Sequence, residues 1–209
     1  MLLEKTHEYI GLLTGKKRVS VTTILAEEGY IEKRFYREGF ADLGTNVHKM
    51  THAMDKGLKF KAPDIYMRYA APYKAFFVQT GIRVVDSEVE IENPMLDYAG
   101  QLDKLCVDKF GDYGIMDIKV SSCGYLSWHE MQTEFYRQGL LWHPKYKGLN
   151  IKWKAGMILK PDCEIPTLIP HNRIAGIEKI CSALAIVNAD KHRHKIRMEE
   201  ITKEEGWYI

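Results

Sequence analysis

Cysteine is scarce in this 209-residue chain, and the four present, Cys106, Cys123, Cys163 and Cys181, stand far apart. No Cys-x-x-Cys pair and no accompanying histidine spacing occurs, so a zinc or iron–sulfur site is not expected; buried or inert thiols in a reducing compartment are. Long apolar runs are missing too. None approaches the ~20 residues needed to span a bilayer, and the start Met-Leu-Leu-Glu-Lys lacks a signal-peptide pattern. No membrane partner is expected, and the expected location is cytoplasmic. Charge of one sign is also lacking: 30 Lys and Arg against 28 Asp and Glu leave a net +2 and a pI near 8.2, which permits an anionic partner without requiring one. Repeats, low-complexity tracts and interdomain linkers are absent. With 45% hydrophobic residues the chain can bury a core as one domain, 1–209.

What is present centres on Gly100-Gln101-Leu102-Asp103 and Gly114-Ile115-Met116-Asp117-Ile118-Lys119. Residues 98–107 and 113–120 read as strands, and Asp108-Lys109-Phe110-Gly111-Asp112 between them is rich in turn formers, so an antiparallel hairpin is predicted. Folded about that turn, Asp103 falls opposite Asp117 or its neighbour, and two carboxylates converge. Like charges so placed repel unless a cation sits between them. Alternation sends Ile115, Asp117 and Lys119 to one face, expected to carry charge, and Met116, Ile118 and Val120 to the other, expected to be core. A lysine beside such a pair can orient or deprotonate a water. An arbitrary Asp-x-Lys, by contrast, is usually a surface ion pair of little consequence.

Around the hairpin, residues 1–17 suggest a short helix, and 18–25 begin with a β-like run leading into a helix capped by Ser20 or Thr22 and reaching Glu28. A helix is predicted over 31–42. Another, capped by Thr45 or Asn46 and stopped near Gly57, carries Val47, Met50 and Met54 at core spacing. His48 sits at the edge of that stripe, with His52 one turn on as a competitor for any role. Pro63 opens a helix over 64–79 whose aromatic residues form core and groove wall. Residues 82–91 form a strand ended by Asn93-Pro94, completing a three-stranded antiparallel meander. After a loop at 121–124, a helix over 125–142 carries Trp128, Met131, Phe135 and Trp142 on one face and Gln132 and Tyr136 one turn apart on a neighbouring stripe. Residues 151–159 form a strand, parallel to the Asp117 strand because a helix crosses between them. Residues 165–169 are ambiguous; 172–192 form a helix, and the basic run 191–195 follows it.

Taken in order, Gly44-x-x-x-His48, Glu88, Gly100-x-x-Asp103, Asp117-x-Lys119 and Gln132-x-x-x-Tyr136 resemble the motif series of RecB-type nucleases of the PD-(D/E)XK superfamily. Val19-Ser20-Val21-Thr22-Thr23-Ile24-Leu25 and Asp97-Tyr98-Ala99-Gly100 look like the phage and mitochondrial-maintenance exonuclease branch. The resemblance implies an α/β fold with a restriction-endonuclease-like core, a mixed sheet of about four to five strands flanked by helices. Residues 1–80 would be a mainly helical N-terminal part, 81–160 the catalytic sheet and helix, and 161–209 a C-terminal helix and tail. It further implies that His48, Asp103, Asp117 and the backbone carbonyl of Ile118 hold one or two Mg²⁺ or Mn²⁺ ions. Glu88 would be a ligand or a supporting group, with Glu90 the alternative match. Lys119 would position the attacking water and stabilise the developing phosphorane, and Gln132 with Tyr136 would support Lys119 and the substrate phosphate.

The chemistry is coherent, because phosphodiester hydrolysis attacks an anion with a poor leaving group, and hard cations on carboxylates neutralise charge and activate water. Imidazole tilts the preference toward Mn²⁺. Related iron–sulfur nucleases carry a cysteine before the core and three closely spaced after it. This chain has none before Cys106, so no cluster is expected. The expected function is a metal-dependent DNA exonuclease in recombination, repair or replication-end processing, acting on single-stranded or duplex ends with recombination or replication proteins as partners. A phage-encoded chain would work in the host cytoplasm; a mitochondrial location follows only by family analogy. The alternatives are a structure-specific or nonspecific endonuclease on the same core, or a decayed nuclease that only binds DNA.

Overall fold

Turn chemistry sets the central hairpin. Asp108 Oδ1 accepts hydrogen bonds from the N–H groups of Phe110 and Asp112, closing the loop 108–112. In the computed structural model, which describes residues 2–3, 8–11, 15–27, 29–31, 40–120 and 128–171, strands Tyr98–Val107 and Tyr113–Lys119 leave this turn antiparallel. They pair from Val107 opposite Tyr113 to Lys104 opposite Met116.

Numbered in chain order, the described strands are β1 (Leu2–Leu3), β2 (Glu8–Ile10), β3 (Lys17–Ser20), β4 (Arg83–Asn93), β5 (Tyr98–Val107), β6 (Tyr113–Lys119), β7 (Ile151–Ile158) and β8 (Thr167–Pro170). β4 lies antiparallel along one edge of β5, completing the meander. β7 runs parallel to β6, as the crossover predicts, and β8 is antiparallel to β7. β3 joins β5 in parallel, and β2 and β1 extend it antiparallel. The result is a mixed sheet flanked by helices, the expected α/β class, but with eight strands among the described residues rather than four to five.

The extra width comes from two places. The expected short helix over 1–17 is replaced by β1, β2 and the start of β3, because pairing onto the β5 edge outweighs a weak local preference. The ambiguous 165–169 segment supplies β8.

Helices α1 (Val21–Glu27), α2 (Phe40–Asp55), α3 (Asp64–Met67), α4 (Ala70–Thr80) and α5 (Trp128–Leu140) cover the sheet. Ser20 caps α1, its Oγ accepting from Thr23 N at 2.9 Å. α2 starts before the cap expected at Thr45 or Asn46; Asn46 is instead nearly two turns inside, donating its side-chain amide to Asp42 O. Its end is as expected: Gly57, at φ 64°, and Leu58 return hydrogen bonds to Met54 O and Ala53 O, the paired bonds that close a helix on a left-handed glycine. The helix expected over 64–79 is broken at Arg68-Tyr69. Pro72 has no N–H to give Arg68 O, and that carbonyl accepts from Asp162 N instead.

Two cores result. Ile24, Leu25, Ile91, Leu102, Ile115 and Phe135 fill the layer under α1 and α5; Val47, Tyr73, Phe76, Met116, Ile118 and Met157 fill the layer under α2 and α4. Both faces of β6 are therefore buried, where one was expected to be charged. Polar groups are confined to its C-terminal end, because helices cover both sides of the sheet. The greater part of the 31–42 helix, the 121–124 loop with Cys123, the opening of the 125–142 helix, the 172–192 helix with Cys181 and the 191–195 basic run lie outside the described residues.

Candidate metal and catalytic site

One edge of β5 is shared. β3 pairs with it at Tyr98 and Ala99, and β6 pairs with it from Lys104 onward. In the gap the ladder is replaced by a side chain: Asp103 Oδ2 accepts from Ile118 N at 2.6 Å. Continuing the register one step past Lys104 and Met116 sets Asp103 opposite Asp117, as the turn predicts. Gly100 belongs to the same gap. A Cβ there would come within 3.1 Å of Tyr136 Cε1 and Val21 Cγ2, so a side chain at this position would push those two neighbours by a few tenths of an ångström.

The other edge of β5 shows how a third acid arrives. Ser87 and Lys104 are paired and face α2, where Ser87 meets His52 and Lys104 meets Asp55. Val89 and Leu102, also paired, lie in the opposite core. Strand alternation is thus broken at Glu88, which holds a left-handed φ of 55°. Such a backbone costs a non-glycine residue on the order of 1–3 kcal/mol and persists only where its surroundings enforce it. Glu88 and Asp103 sit where the facing switches, and both carboxylates reach His48.

α2 is tied to this region by a polar stripe at helical spacing. His48 Nδ1 lies 3.3 Å from Asp103 Oδ1 and 3.7 Å from Glu88 Oε1. One turn on, His52 Nδ1 is 2.7 Å from Ser87 Oγ. Lys104 Nζ then donates to Asp55 Oδ2 at 2.6 Å and Tyr73 Oη to Asp55 Oδ1 at 2.8 Å, deep in the core. Lys56 closes the row on Asp86 at 2.5 Å. His52 is therefore committed to Ser87, and His48 is the histidine among the acids.

Electrostatics follow from these contacts. His48 Nε2 lies 3.1 Å from Ile118 O, which can only accept, while Nδ1 faces two carboxylates; both ring nitrogens therefore act as donors. Burial opposes the charge, but Asp103 and Glu88 overcome it and raise the imidazole pKa to about 10. Burial likewise pushes Asp103 up, yet His48, Lys119 and the Ile118 N–H hold it below the usual carboxylate range. Asp117 goes the other way. Burial and the Asp103 charge outweigh Lys119 and raise it to about 6.

Beside the acids runs a directional chain. Lys119 Nζ lies 2.8 Å from Asp117 Oδ2 as an ion pair and donates to Gln132 Oε1 at 2.8 Å. Gln132 Nε2 donates to Tyr136 Oη at 2.7 Å. Tyr136 accepts that bond, which leaves its own O–H to donate; burial and the Asp117 and Asp103 charges keep it a neutral phenol.

The donor set suits a divalent cation. One ligand atom each from His48, Glu88 and Asp103 lies within 4.8 Å of the others, and Glu88 Oε1 is a buried carboxylate oxygen with no hydrogen bond among the described residues. Two oxygens and an imidazole fit Mn²⁺ or Mg²⁺, with the cation taking the place of the proton that His48 Nδ1 holds toward Asp103 and Glu88. The sequence-predicted residues His48, Glu88, Asp103, Asp117, Ile118, Lys119, Gln132 and Tyr136 are thus brought together. Asp117 stands outside the converging trio, turned to Lys119, and Glu90 is not part of it.

Two neighbours escaped sequence reasoning. Trp128 lies under the Lys119 ammonium, 4.9 Å from ring centroid to nitrogen; it precedes Gln132 by one turn, a spacing that could have pointed to it. Tyr9 of β2 is raised to about 12 by burial and then by Glu88, Glu90 and Asp103, and its segment carries no signal that would place it here.

No family model matches the chain, and no curated protein matches it significantly. Among solved structures it is similar to an alkaline exonuclease (LHK-Exo) from Laribacter hongkongensis, with 13% identity, 90% of this chain and 94% of that one covered, and a TM-score of 0.44. The structure of LHK-Exo in complex with dAMP gives 15% identity, 90% and 93% coverage and a TM-score of 0.41. Likenesses this low do not bear on the function of this chain.

Proposed function

We propose that this chain is a divalent-metal-dependent DNA exonuclease of the PD-(D/E)XK type, hydrolysing phosphodiester bonds in recombination, repair or replication-end processing. The observation that supports it best is the convergence of His48, Glu88 and Asp103 next to the Asp117–Lys119–Gln132–Tyr136 chain. His48, Glu88 and Asp103 would hold Mn²⁺ or Mg²⁺, with Asp117 between Asp103 and Lys119 and Ile118 O steadying the His48 ring through Nε2. A divalent ion bound there supplies charge neutralisation at the phosphate and an acidified water.

The remaining work falls to the chain's own groups. Lys119, fixed by Asp117, Gln132 and the Trp128 ring, orients the attacking water and stabilises negative charge on the pentacovalent phosphorus. Tyr136 directs its O–H at a non-bridging phosphate oxygen. The water oxygen forms the new P–O bond as one of its protons passes to solvent, the bridging P–O bond breaks, and the leaving nucleoside oxygen takes up a proton from solvent.

Digestion of end-labelled single-stranded and duplex DNA in Mg²⁺, Mn²⁺ or EDTA tests the proposal. Release of nucleotides from ends in either metal and none in EDTA is expected. Cleavage of covalently closed circular DNA would contradict the exonuclease mode, and metal-independent release would contradict the metal site.

A further inference from the structure

α2 has a second flank. At 100° per residue, Lys49 stands about 100° and Asn46 about 160° round the helix from His48. Between that flank and segment 58–66 runs a groove lined by Asn46, Lys49, Phe60, Lys61, Pro63 and Tyr66 among others, with no acidic residue in its lining. Lys49 and Lys61 are exposed, and neither makes an ion pair among the described residues. Phe60 is 37% exposed and lies in the groove lining with the two lysines. Tyr66 is held in place, its Oη accepting from Asn46 Nδ2 at 3.2 Å.

From this chemistry we infer that the groove is a single-stranded DNA subsite, in which a base stacks on Phe60 beside Tyr66 and the flanking phosphates meet Lys49 and Lys61. Aromatic faces paired with unneutralised ammonium groups match the alternation of base and phosphate along a single strand. A duplex keeps its base faces covered. The helix between groove and metal site is about 10–12 Å across with its side chains, so a strand of a few nucleotides reaches both. The inference rests on the nuclease reading for its purpose, because the subsite would set which phosphate lies at His48 and Asp103.

Fluorescence anisotropy with a labelled ten-nucleotide oligothymidylate in EDTA separates the two claims. Phe60→Ala is expected to weaken binding roughly five- to hundred-fold. Phe60→Trp should restore it, and affinity for a duplex of equal length should not change. The pair Lys49→Ala and Lys61→Ala should lower the slope of log K against log salt by about 1.4. Hydrolysis of bis(p-nitrophenyl) phosphate in Mn²⁺, a diester too short to reach the groove, should be the same in every variant. Unchanged affinity and slope in these variants, or a wild-type chain that does not bind the oligonucleotide, would overturn the inference. Loss of binding in the variants supports the groove even if the wild-type chain hydrolyses nothing, a result that would sink only the nuclease reading.

Discussion

Lys119 has three fixed neighbours, Asp117, Gln132 and the Trp128 ring, and it offers no ligand atom to the His48–Glu88–Asp103 trio. Truncation should therefore separate binding from turnover. Lys119→Ala is expected to keep Mn²⁺ and DNA affinity within a few-fold while turnover drops by roughly a thousand-fold or more, read by single-turnover hydrolysis; near-normal turnover would remove its assigned role. Tyr136→Phe is the milder case, since the ring still packs and only the O–H is lost. A fall of roughly ten- to hundred-fold in turnover is expected from losing one hydrogen bond to a charged phosphate, with a loss of about 1–3 kcal/mol in stability because the buried Gln132 amide loses its acceptor. The spacings Gly100-x-x-Asp103, Asp117-x-Lys119 and Gln132-x-x-x-Tyr136 were legible because strand alternation and helical turns translate directly into facing side chains. Tyr9 was not, because it arrives through a strand pairing that its own segment does not advertise.

α2 is the element on which the site depends, since one stripe of it reaches Asp103, Ser87, Asp55's partner Lys104 and Asp86 in succession. The Asp55–Lys104 pair is its deepest anchor, with Lys104 fully buried. Replacing Lys104 with Met leaves the Asp55 carboxylate buried with only Tyr73, and should destabilise the fold by about 3–5 kcal/mol. Lys104→Met combined with Asp55→Leu should recover most of that loss. Urea unfolding of the three proteins checks this, and additive losses would argue against a paired contribution. The stop of α2 at Gly57 could be read in advance, because left-handed backbone favours glycine. Its start could not: Thr45 and Asn46 look like caps, but the helix continues N-terminal to them. The same holds for the left-handed backbone of Glu88, where neighbouring strands impose a conformation that a glutamate does not choose.

At the scale of the whole molecule, the individual helices and the three-stranded meander followed from hydrophobic spacing and turn residues, the mixed sheet flanked by helices was what the motif resemblance implied, and the extra strands depended on edge pairing across distant segments. One global property can be tested by pH. His129 and His171 are both buried; burial, then Lys119 and His171, lowers His129 to about 3, and burial, then Lys154 and Lys119, lowers His171 to about 4. Their folded values lie below the ordinary 6.5, so the unfolded chain binds protons first. Stability should be full above about pH 6.5 and fall as pH drops toward 4, by on the order of 2 kcal/mol per histidine at pH 5. Melting curves from pH 7 to 4.5 should show this loss, and a His129→Phe variant should lose less.

The central claim is that His48, Glu88 and Asp103 form a cation site. Calorimetric titration of Mn²⁺ into the wild-type chain and into Asp103→Asn tests it most directly. Saturable binding of one or two ions that weakens at least ten-fold in the variant is the expected result; identical isotherms, or no heat beyond dilution in the wild type, would contradict it.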